Sequence, residues 1–519
     1  MNWKIIWRSL KADDMRKRLL AVAGMLLIFR ILAHIPIPIG TPETLKQVLE
    51  GLFTASQTTQ LLGFLDILSG GALANLSIML IGLGPYINAS IIMQLLTHAI
   101  PKLEALNKEG EFGRKKINQY TRMLSFPLAI IQSIGAVYLV SQTASPYSPS
   151  GDIARNASIG QWALMVAALT GGSMLLMWLG ELITEKGIGN GISLLITVGI
   201  VASLPSTVAS LTSSVFSGDQ SIQLFGKTIP VSYEALAITA IIVAVIIITT
   251  FAVVKLNEAA RKITIHYAKR VQGNRTYGGV TTMLPIKLIT AGVVPIIFAL
   301  AFLSVPSFIG QLMLNSSSAN LIEWGGNLTL WFQTPTAQTF QQPGFTPWIY
   351  PIVYFFLIVV FTYFYTSITF NSKEIAENLQ KQGGFIEGVR SGKQTEDYLR
   401  RTVTRLTLFG SLSLGILAIV PIIGQVFLNT NISIGGTSVL ILVAVSIETL
   451  RQIESRALMV TYDDYTTPDF FYGSDEPALA ATGAKKLRFS DKLLKRDKND
   501  KNLNKKQRSN SLLSRPHLV

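Results

Sequence analysis

Ten long apolar segments lie along this chain, over residues 19–35, 76–97, 122–142, 161–182, 188–206, 233–254, 284–308, 348–370, 404–428 and 436–457. Each approaches the ~20 residues that a helix needs to cross a bilayer. The pattern predicts an all-α polytopic membrane protein with ten transmembrane helices. Lysine and arginine fall in alternate gaps between the segments. One set of gaps holds Arg16-Lys17-Arg18, Arg114-Lys115-Lys116, Lys269-Arg270 and Arg400-Arg401, and the other holds only Lys46, Arg155 and Lys227. The basic set marks the cytoplasmic side. An even number of spans then puts both termini there.

One stretch breaks the pattern. From Leu61 to Ile100 the chain is almost continuously apolar, with only Asp66 and His98 ionisable, which is about twice the length of a span. Ser69-Gly70-Gly71 is the natural break, since adjacent glycines are poor helix formers and accept unusual backbone angles. Leu61–Leu68 is then a helix of roughly 12 Å, too short to cross. Non-helical backbone at membrane depth is tolerated only inside protein or beside a water-filled cavity. A re-entrant element entering a cavity from the outer side follows; a helix lying on the outer surface is the alternative. Gly187-Ile188-Gly189-Asn190-Gly191 opens the fifth span and allows close helix packing or a tight entry.

Composition supports the membrane reading, with 49% hydrophobic and 14% charged residues. The net charge of +15 gathers in the cytoplasmic segments and the tail, where residues 485–519 hold twelve Lys/Arg against Asp491, Asp497 and Asp500. Residues 461–519 read as a basic cytoplasmic tail with too little apolar surface to fold alone. Its charge either binds a polyanionic surface or merely reinforces topology. Two cytoplasmic loops, 255–283 and 371–403, are basic, glycine-bearing and longer than orientation requires. They are topological determinants or docking surfaces for a large partner. The outer loop 309–347 lacks Lys and Arg and reads as solvated.

Chemistry is sparse. There is no cysteine, so neither disulfides nor thiolate ligands are available. No metalloprotease, nucleophile-elbow or phosphate-loop motif occurs, and neither a cofactor nor an enzyme activity is expected. The ionisable residues within or near the spans are few, and include Arg30, His34, Asp66, His98, Glu181 and Glu448. They form no chain of buried proton carriers of the kind a coupled transporter uses. A channel with apolar walls is the leading reading. A secondary transporter with broken helices and a scaffold or insertase without a pore are the alternatives.

Several strings then become recognisable. They include Ile35-Pro36-Ile37-Pro38, Ser69-Gly70-Gly71-Ala72-Leu73, Pro85-Tyr86-Ile87, Lys108-Glu109-Gly110-Glu111, Trp178-Leu179-Gly180-Glu181, Tyr267-Ala268-Lys269-Arg270 and Ala291-Gly292-Val293-Val294-Pro295. In this order they resemble the SecY family, the central pore subunit of the Sec protein-translocation channel, over about residues 10–460. The resemblance implies two pseudo-symmetric five-helix halves, 19–206 and 233–460, after a cytoplasmic segment 1–18 and joined by an outer linker 207–232.

Residue by residue, the resemblance implies a pore ring of Leu83, Ile87, Ile196, Ile297 and Ile441, which would seal a neck by excluding water. A plug would comprise Leu61, Phe64, Leu65, Asp66, Ile67, Leu68, Ser69, Gly70, Gly71 and Ala72. A lateral gate would run along Gln94, Ile289, Thr290 and Val293, although Ile289 stands where the family usually has a polar residue. Lys269, Arg270, Arg275 and Arg390 would dock a motor or ribosome. Implied partners are SecE and SecG subunits, a SecA-like ATPase, the translating ribosome, signal sequences and unfolded clients, and membrane lipids. The implied location is the cytoplasmic membrane of a bacterium.

Overall fold

A computed structural model describes residues 13–38, 76–144, 157–216, 221–224, 227–230, 233–267, 270–272, 275–277, 279, 281–314, 318–335, 337–340, 344–428 and 436–462. Its elements, in order, are α1 (Asp13–Leu32), α2 (Gly84–Ala99), α3 (Pro101–Lys108), α4 (Glu111–Ala144), α5 (Ile159–Glu185), α6 (Gly191–Phe216), β1 (Ser221–Leu224), β2 (Lys227–Pro230) and α7 (Tyr233–Glu258). Then follow β3 (Ala260–Tyr267), β4 (Arg270–Gln272), β5 (Arg275–Tyr277), β6 (Thr281–Lys287), α8 (Val294–Met313), α9 (Ala319–Phe332), α10 (Ala337–Phe340) and α11 (Thr346–Thr369). The last are α12 (Ser372–Lys381), β7 (Gly384–Ile386), α13 (Lys393–Leu428) and α14 (Gly436–Tyr462).

Each of the ten apolar segments overlaps a helix: α1, α2, α4, α5, α6, α7, α8, α11, α13 and α14. Six helices among the described residues are long and apolar enough to cross a membrane on their own account. The chain is a polytopic, mostly helical membrane protein. Chain compactness separates Leu20–Gln452 from a second unit made of Met1–Leu19 with Ile453–Val519. In that second unit the described residues are helical, and Arg18 pairs with Asp14 at 2.9 Å, one turn away.

Within Leu20–Gln452 the packing follows chain order. α2 packs on α4, α4 on α5 and α5 on α6. In the later part α8 packs on α11, α11 on α13 and α13 on α7. The two series meet where α6 touches α7, and again where α8 touches α2 and α4. Small residues make these contacts close, as is usual where lipid supplies no hydrophobic drive between helices. A Cβ added to Gly191 would sit 1.9 Å from the Gly180 carbonyl oxygen, and one on Gly172 would sit 2.1 Å from that of Ile78. The glycine-rich opening of the fifth span serves both uses foreseen for it. Gly187 and Gly189 turn with φ +71° and +93°, and Gly191 is the close approach.

Three features depart from the sequence reading. The second span begins as a helix only at Gly84 and the seventh only at Val294, because Gly82 and Gly292 each take φ +62° just before. The two long basic loops expected on the cytoplasmic side contain regular structure. β6, β3 and β7 form one antiparallel sheet, with Ile263 opposite Leu284 and Ile265 opposite Ile386. Ile263, Ile286, Ile386, Leu399 and Val403 close a small core beneath it. Finally, the outer loop 309–347 is not simply solvated, since it holds α9, a 14-residue helix packed on α8 and α11.

Candidate channel and its docking surface

The two late-starting helices are built alike. Gly82, Pro85 and Ile87 recur with identical spacing as Gly292, Pro295 and Ile297. Leu83 caps α2 with φ −88° and ψ 1°, and Val293 caps α8 with φ −93° and ψ −13°. A proline lies in the first turn of each helix, where its missing N–H costs nothing. Ile87 N–H donates to the Leu83 carbonyl at 3.0 Å, and Ile297 N–H to that of Val293 at 3.4 Å. One local design thus brings an isoleucine into the first turn of a helix in each half. The shared spacing is legible in the sequence, although each residue taken alone reads as ordinary helix packing.

The surroundings hold these starts firmly. Ser173 on α5 donates its hydroxyl to the Gly82 carbonyl at 3.0 Å. Upstream, Ile37 N–H donates to the Leu76 carbonyl at 2.8 Å and Ile78 N–H to that of Ile35 at 3.0 Å. Leu76 itself is fully buried and takes φ +41°, an uncommon angle for a branched residue. Beside Gly292, a Cβ would stand 3.5 Å from Glu448 Oε2.

All five ring candidates are buried: Leu83 and Ile87 at the start of α2, Ile196 on α6, Ile297 on α8 and Ile441 on α14. The plug residues Leu61–Ala72 lie outside the described residues, as does Lys269. Between α2, α4 and α8 lies a cavity of about 440 Å³ walled by residues such as Ile91, Leu95, Ile131, Phe302 and Ile309, with Asn88 and Gln132 among its few polar groups. Gln94 donates to Ser90 on its own helix at 3.2 Å. Its buried Oε1 has no partner among the described residues. Ile289 is buried beside α13, where its Cγ1 would lie 3.5 Å from a Cβ on Gly410. Thr290 donates to the Lys287 carbonyl at 3.2 Å, and Val293 is buried. Among the described residues no hydrogen bond therefore joins Gln94 to the 289–293 segment, and Ile289 packs on the ninth span.

Several other ionisable residues of the described spans make local contacts. Arg122 and Glu181 form a two-bond pair between α4 and α5, at 2.8 and 2.6 Å. His34 bonds the Arg30 carbonyl at 2.8 Å, and His98 meets the Phe364 ring edge-on. No cluster of three His, Cys, Asp or Glu that could hold a metal occurs among the described residues.

On the other surface, Arg270 and Arg275 sit on a β4–β5 hairpin, in register with Tyr277 and Gln272. The hairpin lies between β3 and β6 in the chain, and β3 pairs with β7, from which Arg390 is four residues distant. Arg390 is exposed, and its carbonyl accepts from Thr395 Oγ1 at 3.0 Å. The sheet thus brings both basic loops into one surface.

The molecule is by these features a polytopic helical protein with two packed series of spans, a shared apolar cavity and a basic sheet at one end. The family model described as SecY matches residues 77–450. The protein translocase subunit SecY of Streptomyces coelicolor is 40% identical over 462 residues, covering 88% of this chain and 98% of the relative. That of Mycobacterium tuberculosis is 39% identical over 465 residues, with the same two coverages, 88% and 98%. The chain belongs to the SecY family. Among solved structures, a SecY protein whose plug domain stabilises the closed channel superposes with TM-score 0.57 and 20% identity, over 86% of this chain and 93% of that one. A protein-conducting channel superposes with TM-score 0.55 and 18% identity, over 85% and 93%. These two likenesses establish the fold.

Proposed function

We propose that this chain is the protein-conducting pore of a bacterial Sec translocase. Unfolded polypeptide threads outward through a neck of Leu83, Ile87, Ile196, Ile297 and Ile441, and apolar segments leave sideways between α2 and α8. The observation that carries the reading is the repeated glycine–proline–isoleucine helix start, which brings a buried aliphatic side chain to equivalent places in the two halves. An aliphatic neck blocks ions by dewetting and has no fixed hydrogen bonds to break, so it deforms around any passing chain. The cavity between α2, α4 and α8 supports the sideways exit. The plug closes the outer side at rest.

Energy comes from partners. A SecA-like ATPase or a translating ribosome docks on the sheet surface through Arg270, Arg275 and Arg390, with Lys269 alongside, while SecE and SecG subunits brace the spans. The protein resides in the cytoplasmic membrane with both termini inside, a reading supported by the Lys/Arg asymmetry and by the bacterial relatives. A photoreactive residue at position 87 or 297 should cross-link a stalled client in the assembled complex. Cross-links confined to the lipid-facing Ile247, with none at 87 or 297, would sink the pore assignment.

A further inference from the structure

The helix α9 that follows the seventh span doubles back on it. A Cβ added to Gly310 would lie 2.8 Å from Thr329 Oγ1 and 2.9 Å from the Gly325 carbonyl oxygen. One added to Gly325 would lie 2.7 Å from the Gly310 carbonyl oxygen and 2.9 Å from the Leu314 nitrogen. Later residues of α8 thus meet earlier residues of α9, so the helices are antiparallel and touch backbone to backbone. Small-residue contacts of this kind hold helices together within lipid, where apolar side chains give no net drive.

That contact uses one face only. Gly325 is the single buried residue of α9, and Leu321, Ile322, Trp324 and Leu330 are 42, 40, 57 and 50% exposed. The fourteen residues carry one charge, Glu323. Next to them, at the start of α11, Phe345 and Trp348 are 68 and 44% exposed. The whole stretch 309–347 lacks Lys and Arg, so nothing in it would seek phosphate. An apolar helix with tryptophan, packed antiparallel on the end of a spanning helix, matches the chemistry of the membrane boundary.

We propose that α9 lies in the acyl-chain boundary of the outer leaflet, with Trp324 and its neighbours among lipid chains, and moves with α8 as one body. Because α8 bears Ile297 and walls the exit cavity, parting α8 from α2 drags α9 through the interface. Lipid packing in the outer leaflet then biases the gate. The inference rests on the topology proposed above, though not on translocation itself.

The absence of cysteine allows single spin labels in the full chain with no background. Labels would be placed at Trp324→Cys and, separately, Leu321→Cys, with Ile247→Cys on α7 as lipid reference and Glu387→Cys, 89% exposed, as water reference. In phosphatidylcholine vesicles the α9 labels should collide with oxygen as at 247 and resist an aqueous nickel chelate. Adding phosphatidylglycerol should change neither value. Chelate access as high as at 387 would place α9 in water and overturn the proposal. Protection from both reagents would reveal a protein partner, and a depth that follows anionic lipid would reveal headgroup binding; either overturns it too. Lipid-like labels in a complex that conducts no protein would defeat the proposed function alone. A conducting complex with water-exposed labels would defeat this inference alone.

Discussion

Ile87 and Ile297 owe their equivalent places to glycines five residues earlier, and both kinds of residue make testable claims. If the neck is a dewetted seal, adding hydroxyls should let water and ions through. Ile87→Ser with Ile297→Ser should raise the resting conductance of planar bilayers several-fold. Removing buried isoleucines also costs about 2–5 kcal/mol each in a packed core, so intact folding must be shown in parallel. An unchanged conductance in a folded double variant would remove the ring. The glycines make a separate claim. At φ +62° a side chain meets its own carbonyl, costing about 1–2 kcal/mol. Gly82→Ala and Gly292→Ala should therefore lower the melting temperature of the complex. Gly24→Ala, on α1 with nothing within 4 Å of the added carbon, should not. The sequence displays Gly82 and Gly292 plainly, but their shared backbone angle appears only in the fold. The environment of Ile289 was illegible for a different reason. Its neighbour Gly410 is distant in the chain, and nothing local to Ile289 says that it faces the ninth span.

Helices were readable wherever hydropathy alone decides, and the misjudged elements are those it does not govern. β3, Ala260–Tyr267, alternates Ile263 and Ile265 with exposed Lys262 and Thr264, a period-two strand signal. Its basic setting masked that signal, and its partner β7 lies in another loop. α9 hid in Ser/Thr/Gln-rich sequence, and its Gly325-Gly326 pair reads as a turn until the close face of α8 is known. Glycine contacts give the element-scale test. Gly191→Ala drives a carbon to 1.9 Å from the Gly180 carbonyl, so α5 and α6 must part, at a cost of about 1–3 kcal/mol for overpacking. Gly171→Ala, open on α5, is the control, and thermal unfolding of the purified complex should separate the two. At the sheet, Arg offers a planar donor fork that a point charge cannot replace. Arg390→Glu should abolish ATPase-driven translocation while membrane insertion of the protein itself persists. Normal translocation by the purified variant would remove Arg390 from the docking surface.

For the molecule as a whole, charge is distributed as unevenly as hydropathy. The apolar segments located the spanning helices, since transfer free energy follows local composition, and the basic loops carry the expectation about orientation. How the helices pair was not readable, because close glycine contacts and the α8 approach to α2 and α4 are non-local. The tail 463–519 lies outside the described residues, and its charge is its only argument. Twelve Lys/Arg against three Asp in 485–519 give a local charge of +9. Near an anionic membrane surface each basic residue contributes about 1 kcal/mol, and ribosomal RNA would draw the same residues by counterion release. A surface attraction of this kind fades with salt, since the Debye length falls from ~30 Å at 0.01 M to ~8 Å at 0.15 M. Truncation after Gly483 should therefore weaken association with ribosomes or anionic liposomes at low salt, and the deficit should shrink steadily as salt rises. Association with zwitterionic liposomes should not change. If full-length and truncated complexes bind equally at low ionic strength, the tail acts only on topology, and orientation mapping of the truncated chain becomes the measurement that reveals its contribution.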